Sequence, residues 1–171
     1  DGTSAIMLSG ETAAGHYPIE TVKTMALIAE TTENNIDYRK RFSARGISSN
    51  SNIANAIAHA TVTTAHDLNV KAIITVTKAG STARLISKYR PDAPIISCTT
   101  SETACRQMNM SWGVTPLLID EKTNTDELFS CAVEAAKNAG YVDDGDLVVI
   151  TAGVPLGVSG TTNLMKVDIV E

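Results

Sequence analysis

From residue 72 onward the chain alternates short, largely apolar runs with stretches of helical periodicity, and this rhythm restricts its fold more than any other feature. Residues 72–76, 94–98, 114–119 and 147–150 have the length and composition of strands. Residues 82–89, 102–110 and 125–138 lie between them as helical segments, the last of them stopped by Gly140. Leu147, Val148, Val149 and Ile150 are apolar without interruption, as a strand covered on both faces requires. Strands that alternate with helices form a parallel sheet with right-handed crossovers. The final run differs: Met165, Val167 and Ile169 alternate with Lys166 and Asp168. The segment 152–162 that precedes it is too short and glycine-rich for a crossover helix, so this strand should be an antiparallel edge. The expected fold is α/β, a three-layer α/β/α domain with a five-stranded mixed sheet whose last strand is antiparallel.

Upstream, residues 4–8 read as a short strand, followed by the turn-like Ser9-Gly10-Glu11-Thr12. Pro18 suits a first helical turn, and Glu20 favours the positive end of a helix. Ile19, Val22, Ala26 and Ala29 then recur at helical spacing, which predicts one helix to about Asp37. Residues 43–52 are polar and form the expected linker. Asn52 is placed to cap a helix carrying Ile53, Ala54, Ile57, Val62 and Ala65 on its apolar side. A chain of 171 residues suits one domain, and 4% aromatic content leaves its core to Ile, Val, Leu and Ala.

In the charge balance, 14 basic against 19 acidic residues, no basic run stands out beyond the short Arg39-Lys40-Arg41, which argues against nucleic acid as a partner. No apolar stretch approaches membrane-spanning length. Cys98, Cys105 and Cys131 form no CxxC pair, and free thiols fit the cytoplasm. No metal site is expected. His59 and His66 stand seven residues apart on one helix, about 10 Å along its axis, too far to share an ion. Asp143, Asp144 and Asp146 read as turn carboxylates.

Two segments suit a phosphate. In Thr77-Lys78-Ala79-Gly80-Ser81-Thr82, Gly80 permits a tight turn, Ser81 and Thr82 offer hydroxyls beside a helix start, and Lys78 adds a mobile charge. An ordinary βα loop with a capping hydroxyl would look the same. In Gly153-Val154-Pro155-Leu156-Gly157-Val158-Ser159-Gly160-Thr161-Thr162, three glycines and two threonines around one serine leave backbone N–H groups free to form an anion nest, and a flexible hairpin loop is the alternative. Both loops would lie at the carboxyl ends of strands, where open α/β sheets bind ligands. Neither is a GxGxxG, a GxxxxGK[ST] or a GxSxG motif.

The opening Asp1-Gly2-Thr3-Ser4-Ala5-Ile6-Met7-Leu8-Ser9-Gly10-Glu11-Thr12-Ala13, with Gly15 and Tyr17-Pro18, closely resembles a signature of the pyruvate kinase family. The similarity continues through Lys88-Tyr89-Arg90-Pro91, Gly145-Asp146-Leu147-Val148-Val149-Ile150-Thr151 and Thr162-Asn163-Leu164-Met165-Lys166-Val167. The resemblance implies that residues 1–42 are the last strand and helix of a (β/α)8 catalytic barrel, 43–52 a linker, and 53–171 the C-terminal allosteric domain. It implies that Ser9 and Glu11 reach the active-site edge as supporting or proton-relay groups. It also implies phosphoryl transfer from phosphoenolpyruvate to ADP in the whole enzyme, with Mg²⁺ and K⁺. The family's metal carboxylates and catalytic lysine come from earlier barrel strands, so these 171 residues should be catalytically incomplete and hold no cofactor.

By the same resemblance, Thr77, Lys78, Gly80 and Thr82 match a loop that grips an effector phosphate, with Ala79 and Ser81 as substitutions within it. Gly157, Ser159, Gly160 and Thr161 match a loop that closes over the effector, a sugar phosphate or AMP. Residues 120–129 lack the Trp and Arg that help hold the second phosphate of fructose 1,6-bisphosphate in members responsive to it, which favours a monophosphate. The last strand would pair across a subunit interface of a homo-tetramer. A free-standing phosphate-binding module and a purely structural tetramerisation domain are the competing expectations.

Overall fold

The computed structural model describes residues 2–45, 52–156, 158 and 160–171. After a four-residue helix, α1 (Gly10–Ala13), the chain enters α2 (Pro18–Glu33) with its proline in the first turn, where no N–H is required. The helix expected to reach Asp37 stops at Glu33, and a separate helix α3 (Tyr38–Arg45) follows. The cause is Asp37 itself. Its carboxylate accepts the Lys40 N–H at 2.9 Å, a capping bond available only if a new helix starts there. Ser43, expected in the linker, is therefore helical, and residues 46–51 of that linker lie outside the described residues. Residues 4–8 carry no strand, because no described segment pairs with them and a strand exists only through its ladder. No side chain of α2 is buried, and Ile19, Val22, Leu27 and Ile28 are each more than half exposed.

The remainder follows the alternation. Helix α4 (Ile53–Leu68) is capped by the Asn52 side chain, which accepts the Asn55 N–H at 3.0 Å. Then come β1 (Ala72–Val76), α5 (Ser81–Tyr89), β2 (Ile95–Thr99), α6 (Glu102–Met108), β3 (Val114–Leu118), α7 (Thr125–Asn138), β4 (Leu147–Gly153) and β5 (Thr162–Ile169). The strand order is β3-β2-β1-β4-β5, parallel throughout except for the antiparallel β4–β5 pair. Strand β4 runs three residues beyond the apolar run, through Thr151 to Gly153, because β5 continues to pair with it.

Two cores sandwich the sheet. On one face Ala58, Val62 and Ala65 of α4 and Ala83 and Ile86 of α5 pack with Met108 on Ile73, Ile95 and Val149. On the other, Leu128, Phe129, Ala132 and Ala136 of α7 cover Ile74, Ile96, Val148 and Ile150. Full burial of each Val, Ile, Leu, Met or Phe side chain among them contributes about 1.5–3 kcal/mol. Cys98 is also fully buried, and burial raises its thiol pKa to about 12, so it packs as an apolar group. His59 and His66 pack too, the first stacked on the Phe42 ring and the second T-shaped to it. The chain runs outward from β1 through β2 to β3, then crosses back to β4 on the far side of β1. The carboxyl edge between β1 and β4 is thus the switch point of the sheet, where neighbouring connections diverge and leave a crevice.

Candidate effector site

The loop after β1 is built to leave backbone amides uncovered. Gly80 adopts φ +77°, a left-handed conformation that turns the chain directly into α5, and its N–H donates to Thr77 Oγ1 at 3.1 Å. The loop carbonyls are tied from outside: the Arg84 guanidinium donates to Ala79 O at 2.9 Å, and Thr99 Oγ1 to Lys78 O at 3.3 Å. Gly80 is the N-cap and has no side chain to offer, so the first-turn amides of α5 receive no side-chain cap. Lys78 stands exposed beside them. Uncapped amides, a helix dipole and a nearby ammonium all favour an anion.

The loop after β4 closes on the same point. Asn163 clamps its base, accepting the Val154 N–H at 2.9 Å and donating to Val154 O at 2.7 Å. Thr161 Oγ1 donates to Val158 O at 2.9 Å and folds the loop tip back. The two loops meet through hydroxyls: Thr82 Oγ1 and Thr162 Oγ1 lie 2.7 Å apart, with both residues nearly inaccessible. Whichever donates, the other keeps its own O–H free to donate onward.

Between the loops lies a pocket of about 90 Å³. Thr77, Lys78, Ala79, Ser81 and Thr82 line it from the β1 side, and Val158, Gly160 and Thr161 from the β4 side. Gly80 shapes the turn without lining the pocket, and Gly157 and Ser159 lie outside the described residues. Several contributors were not assigned to the site by sequence reasoning. Thr162 closes the second phosphate-suited segment, but sequence reasoning did not pair it with Thr82. Glu121 and Lys122, just after β3, complete the rim, and Ile119, Leu128 and Leu156 give it an apolar wall. The rule that ligands sit at strand carboxyl ends, applied to β3 as well as to β1 and β4, would have pointed to residues 119–122.

Ser9 and Glu11 are not brought to this pocket. They sit together, exposed, at the start of α1, where the Ser9 N–H donates to Glu11 Oε2 at 3.1 Å. Backbone N–H bonds from Glu11 itself and from Ser9 hold that carboxyl below its ordinary pKa, outweighing a slight desolvation. Among the described residues no group of three or more His, Cys, Asp or Glu side chains is placed to hold a metal ion, and no helix is long and apolar enough to cross a membrane. The described residues thus do not fit Mg²⁺.

Comparison with known proteins agrees with this architecture. Residues 55–168 match the family model described as the pyruvate kinase α/β domain. Pyruvate kinase of Clostridium acetobutylicum is 55% identical over all 171 residues, which correspond to 36% of that protein. Those of Sporosarcina psychrophila and Staphylococcus epidermidis are 49% and 51% identical over 99% of the chain, and 29% of each relative is covered. The crystal structure of a pyruvate kinase from Cryptosporidium parvum superposes with a TM-score of 0.85 at 35% identity, over 96% of this chain and 32% of that one. The chain therefore spans about a third of the length of the relatives it matches. With a five-stranded mixed sheet whose last strand is antiparallel, a family model matched across it and half of its residues shared with curated relatives, the chain belongs to the pyruvate kinase family, within which it carries the C-terminal α/β domain.

Proposed function

We propose that this chain is the regulatory part of a pyruvate kinase and binds a phosphorylated effector, a sugar phosphate or AMP, at the β1–β4 edge. The observation that carries the reading is the convergence of two loops, eighty residues apart in sequence, on one pocket of uncapped amides and hydroxyls. The effector's phosphate meets the first-turn amides of α5, with the hydroxyls of Ser81, Thr82 and Thr161 and the Lys78 ammonium around it. Lys122 and Glu121 face the remainder of the ligand. A single cluster of amides suits one phosphate, and the Glu121 carboxylate disfavours a second.

In the whole enzyme, on this reading, phosphoenolpyruvate passes its phosphoryl group to ADP, with Mg²⁺ and K⁺ held by residues outside these 171, and Ser9 and Glu11 support the active-site edge. The setting is cytoplasmic, in keeping with three free thiols. Subunits of a homo-tetramer meet through β5. Support for that comes from its outer edge, which has no neighbour in the sheet, and from Val167 and Ile169, which are 39% and 59% exposed on it.

The test is a calorimetric titration of the chain with ribose 5-phosphate, AMP and fructose 1,6-bisphosphate, with inorganic phosphate as control. Saturable binding of one of them, lost on Thr82→Ala in a variant of unchanged circular dichroism, is the expected result. No saturable heat from any of the four would sink the effector reading and leave a structural role.

A further inference from the structure

Helix α5 starts at the pocket and ends in a junction tied by several hydrogen bonds. Its last turn and C-cap hold three other parts of the chain. Ser87 Oγ donates to Trp112 O at 2.6 Å, and the Arg45 guanidinium of α3 donates to Lys88 O. Arg90, the C-cap, donates through Nη2 to Gly2 O at 2.9 Å and to Ser4 Oγ at 2.8 Å. The guanidinium carbon of Arg90 also lies 4.8 Å from the centre of the Trp112 ring. Trp112 in turn donates Nε1–H to Glu33 Oε1 of α2 at 3.1 Å and packs on Tyr38 of α3, ring centres 5.4 Å apart.

Arg90 does this under two constraints. It is only 8% exposed, and its backbone is left-handed, with φ +54°, a conformation that side chains other than glycine adopt at a cost. Buried guanidinium and strained backbone together mark a position whose geometry the surroundings impose. A lysine could supply the charge and the donors, but not the planar guanidinium that stacks on an indole while one of its nitrogens donates to two oxygens.

We propose that α5 is a strut that couples pocket occupancy to the hold on residues 2–4, with Arg90 as the coupling residue. The proposal rests on the effector reading above. The helix has nine residues, about 13 Å of axis, and its sequence contains no glycine or proline at which it could bend. An anion bound to its first-turn amides moves or stiffens it as one body. The far end delivers that change to Gly2 and Ser4 through Arg90, and to α2 through Trp112. The coupling is reciprocal, so fixing residues 2–4 raises affinity at the pocket by the same factor.

Trp112 is the single tryptophan of the chain and serves as the reporter. Ribose 5-phosphate is titrated in parallel by calorimetry, by tryptophan emission and by amide hydrogen exchange of residues 3–5. The expected result is a shared midpoint in heat and emission, and exchange at residues 3–5 slowed at least about fivefold at saturation. In Arg90→Lys, binding heat persists while emission and exchange no longer respond to ligand. A second variant, Ser4→Ala, removes one acceptor from an exposed position and is expected to reduce the exchange response, which keeps the test decisive if Arg90→Lys fails to fold. Binding without any response in the unsubstituted chain, or responses that survive in Arg90→Lys or stay undiminished in Ser4→Ala, overturns the strut. Absence of binding heat from ribose 5-phosphate, AMP, fructose 1,6-bisphosphate and inorganic phosphate alike removes the effector reading instead, and the strut falls with it.

Discussion

Replacing Gly80 by alanine tests the site's construction, because the structure assigns this residue two separable costs. The first is conformational: at φ +77° a Cβ approaches the neighbouring backbone, which costs about 1–2 kcal/mol. The second is steric. The added Cβ would lie 2.8 Å from Met108 Cγ and 3.0 Å from its sulfur. Met108 is fully buried, and its sulfur accepts a hydrogen bond from Ser97 Oγ at 3.0 Å, so it cannot swing aside without breaking that contact. Overpacking of this kind costs about 1–3 kcal/mol. The Arg84 guanidinium, also 2.8 Å from the new atom, is exposed and moves at little cost. The alanine stiffens the unfolded chain and returns about 0.4–1 kcal/mol, so the net loss is about 1–4.5 kcal/mol. Gly140→Ala is the control. It has nearly the same backbone, φ +76°, with nothing within 4 Å of its Cβ, and carries only the conformational cost. Urea denaturation followed by circular dichroism gives both values, read from midpoints at constant m. The packing difference should be about 1–3 kcal/mol. Losses equal within about 0.5 kcal/mol would refute the steric argument. A finer check is Met108→Ala, which should cost less in the Gly80→Ala background than alone, because the new methyl fills part of the void.

The hydroxyl pair linking the two loops predicts a non-additive double substitution. Thr82→Val strands a nearly inaccessible Thr162 hydroxyl and should cost about 1–3 kcal/mol, whereas adding Thr162→Val should cost less than its own single effect; strictly additive denaturation energies would show that the pair does not interact. His66 predicts an acid-sensitive fold. Its Nε2 accepts the Asp92 N–H at 3.2 Å, and burial, then Arg39, lower its pKa below 6.5, against the opposing pull of Asp92 and Asp67. The unfolded chain therefore binds the proton more readily. The contribution of His66 is complete above about pH 6.5 and is lost as pH falls toward the lowered folded value, at up to about 1.4 kcal/mol per pH unit. Urea midpoints measured across that range should show this slope, and His66→Gln should remove it; an unchanged slope in the variant would exclude His66 as its source.

The sheet was legible because its determinants are local or combinatorial. Apolar runs such as 147–150 must be covered on both faces, and the connection from 152 to 162 is too short to return in parallel. Cap chemistry was legible at Asn52 for the same reason, since a capping bond spans three residues. Where the reading diverged, a different physical cause outweighed the pattern. Between Glu33 and Tyr38 the apolar repeat suggested one helix, and the Asp37 cap made it two. At residues 4–8 composition alone suggested a strand, but strand formation depends on a pairing partner that local sequence does not specify. The phosphate loop was legible in residue chemistry from Thr77 to Thr82. The part played by Thr162 was not, because only the β4–β5 register, which pairs it with Gly153, brings it beside Thr82.

That register also bears on why the second loop is rich in glycine. A loop with several glycines is commonly read as one that needs freedom, and on sequence alone the hairpin reading stood level with the anion nest. Gly153 favours a different explanation. Its φ is not in the left-handed region, so it does not serve a special backbone conformation. Instead a Cβ there would meet Thr161 Oγ1 at 2.6 Å and Thr161 backbone atoms at 3.0 Å. The missing side chain is what allows the returning arm of the loop to lie directly on the end of β4. The step in register between Ala152 and Gly153 falls at the same place. With Thr161 seated against Gly153, Thr162 is delivered to Thr82, and the loop's hydroxyls are held over the uncapped start of α5. A hairpin tolerant of any conformation needs no such close approach. One that must present Thr161 and Thr162 to a small anion does, and the glycine at 153 is then explained by position rather than by flexibility.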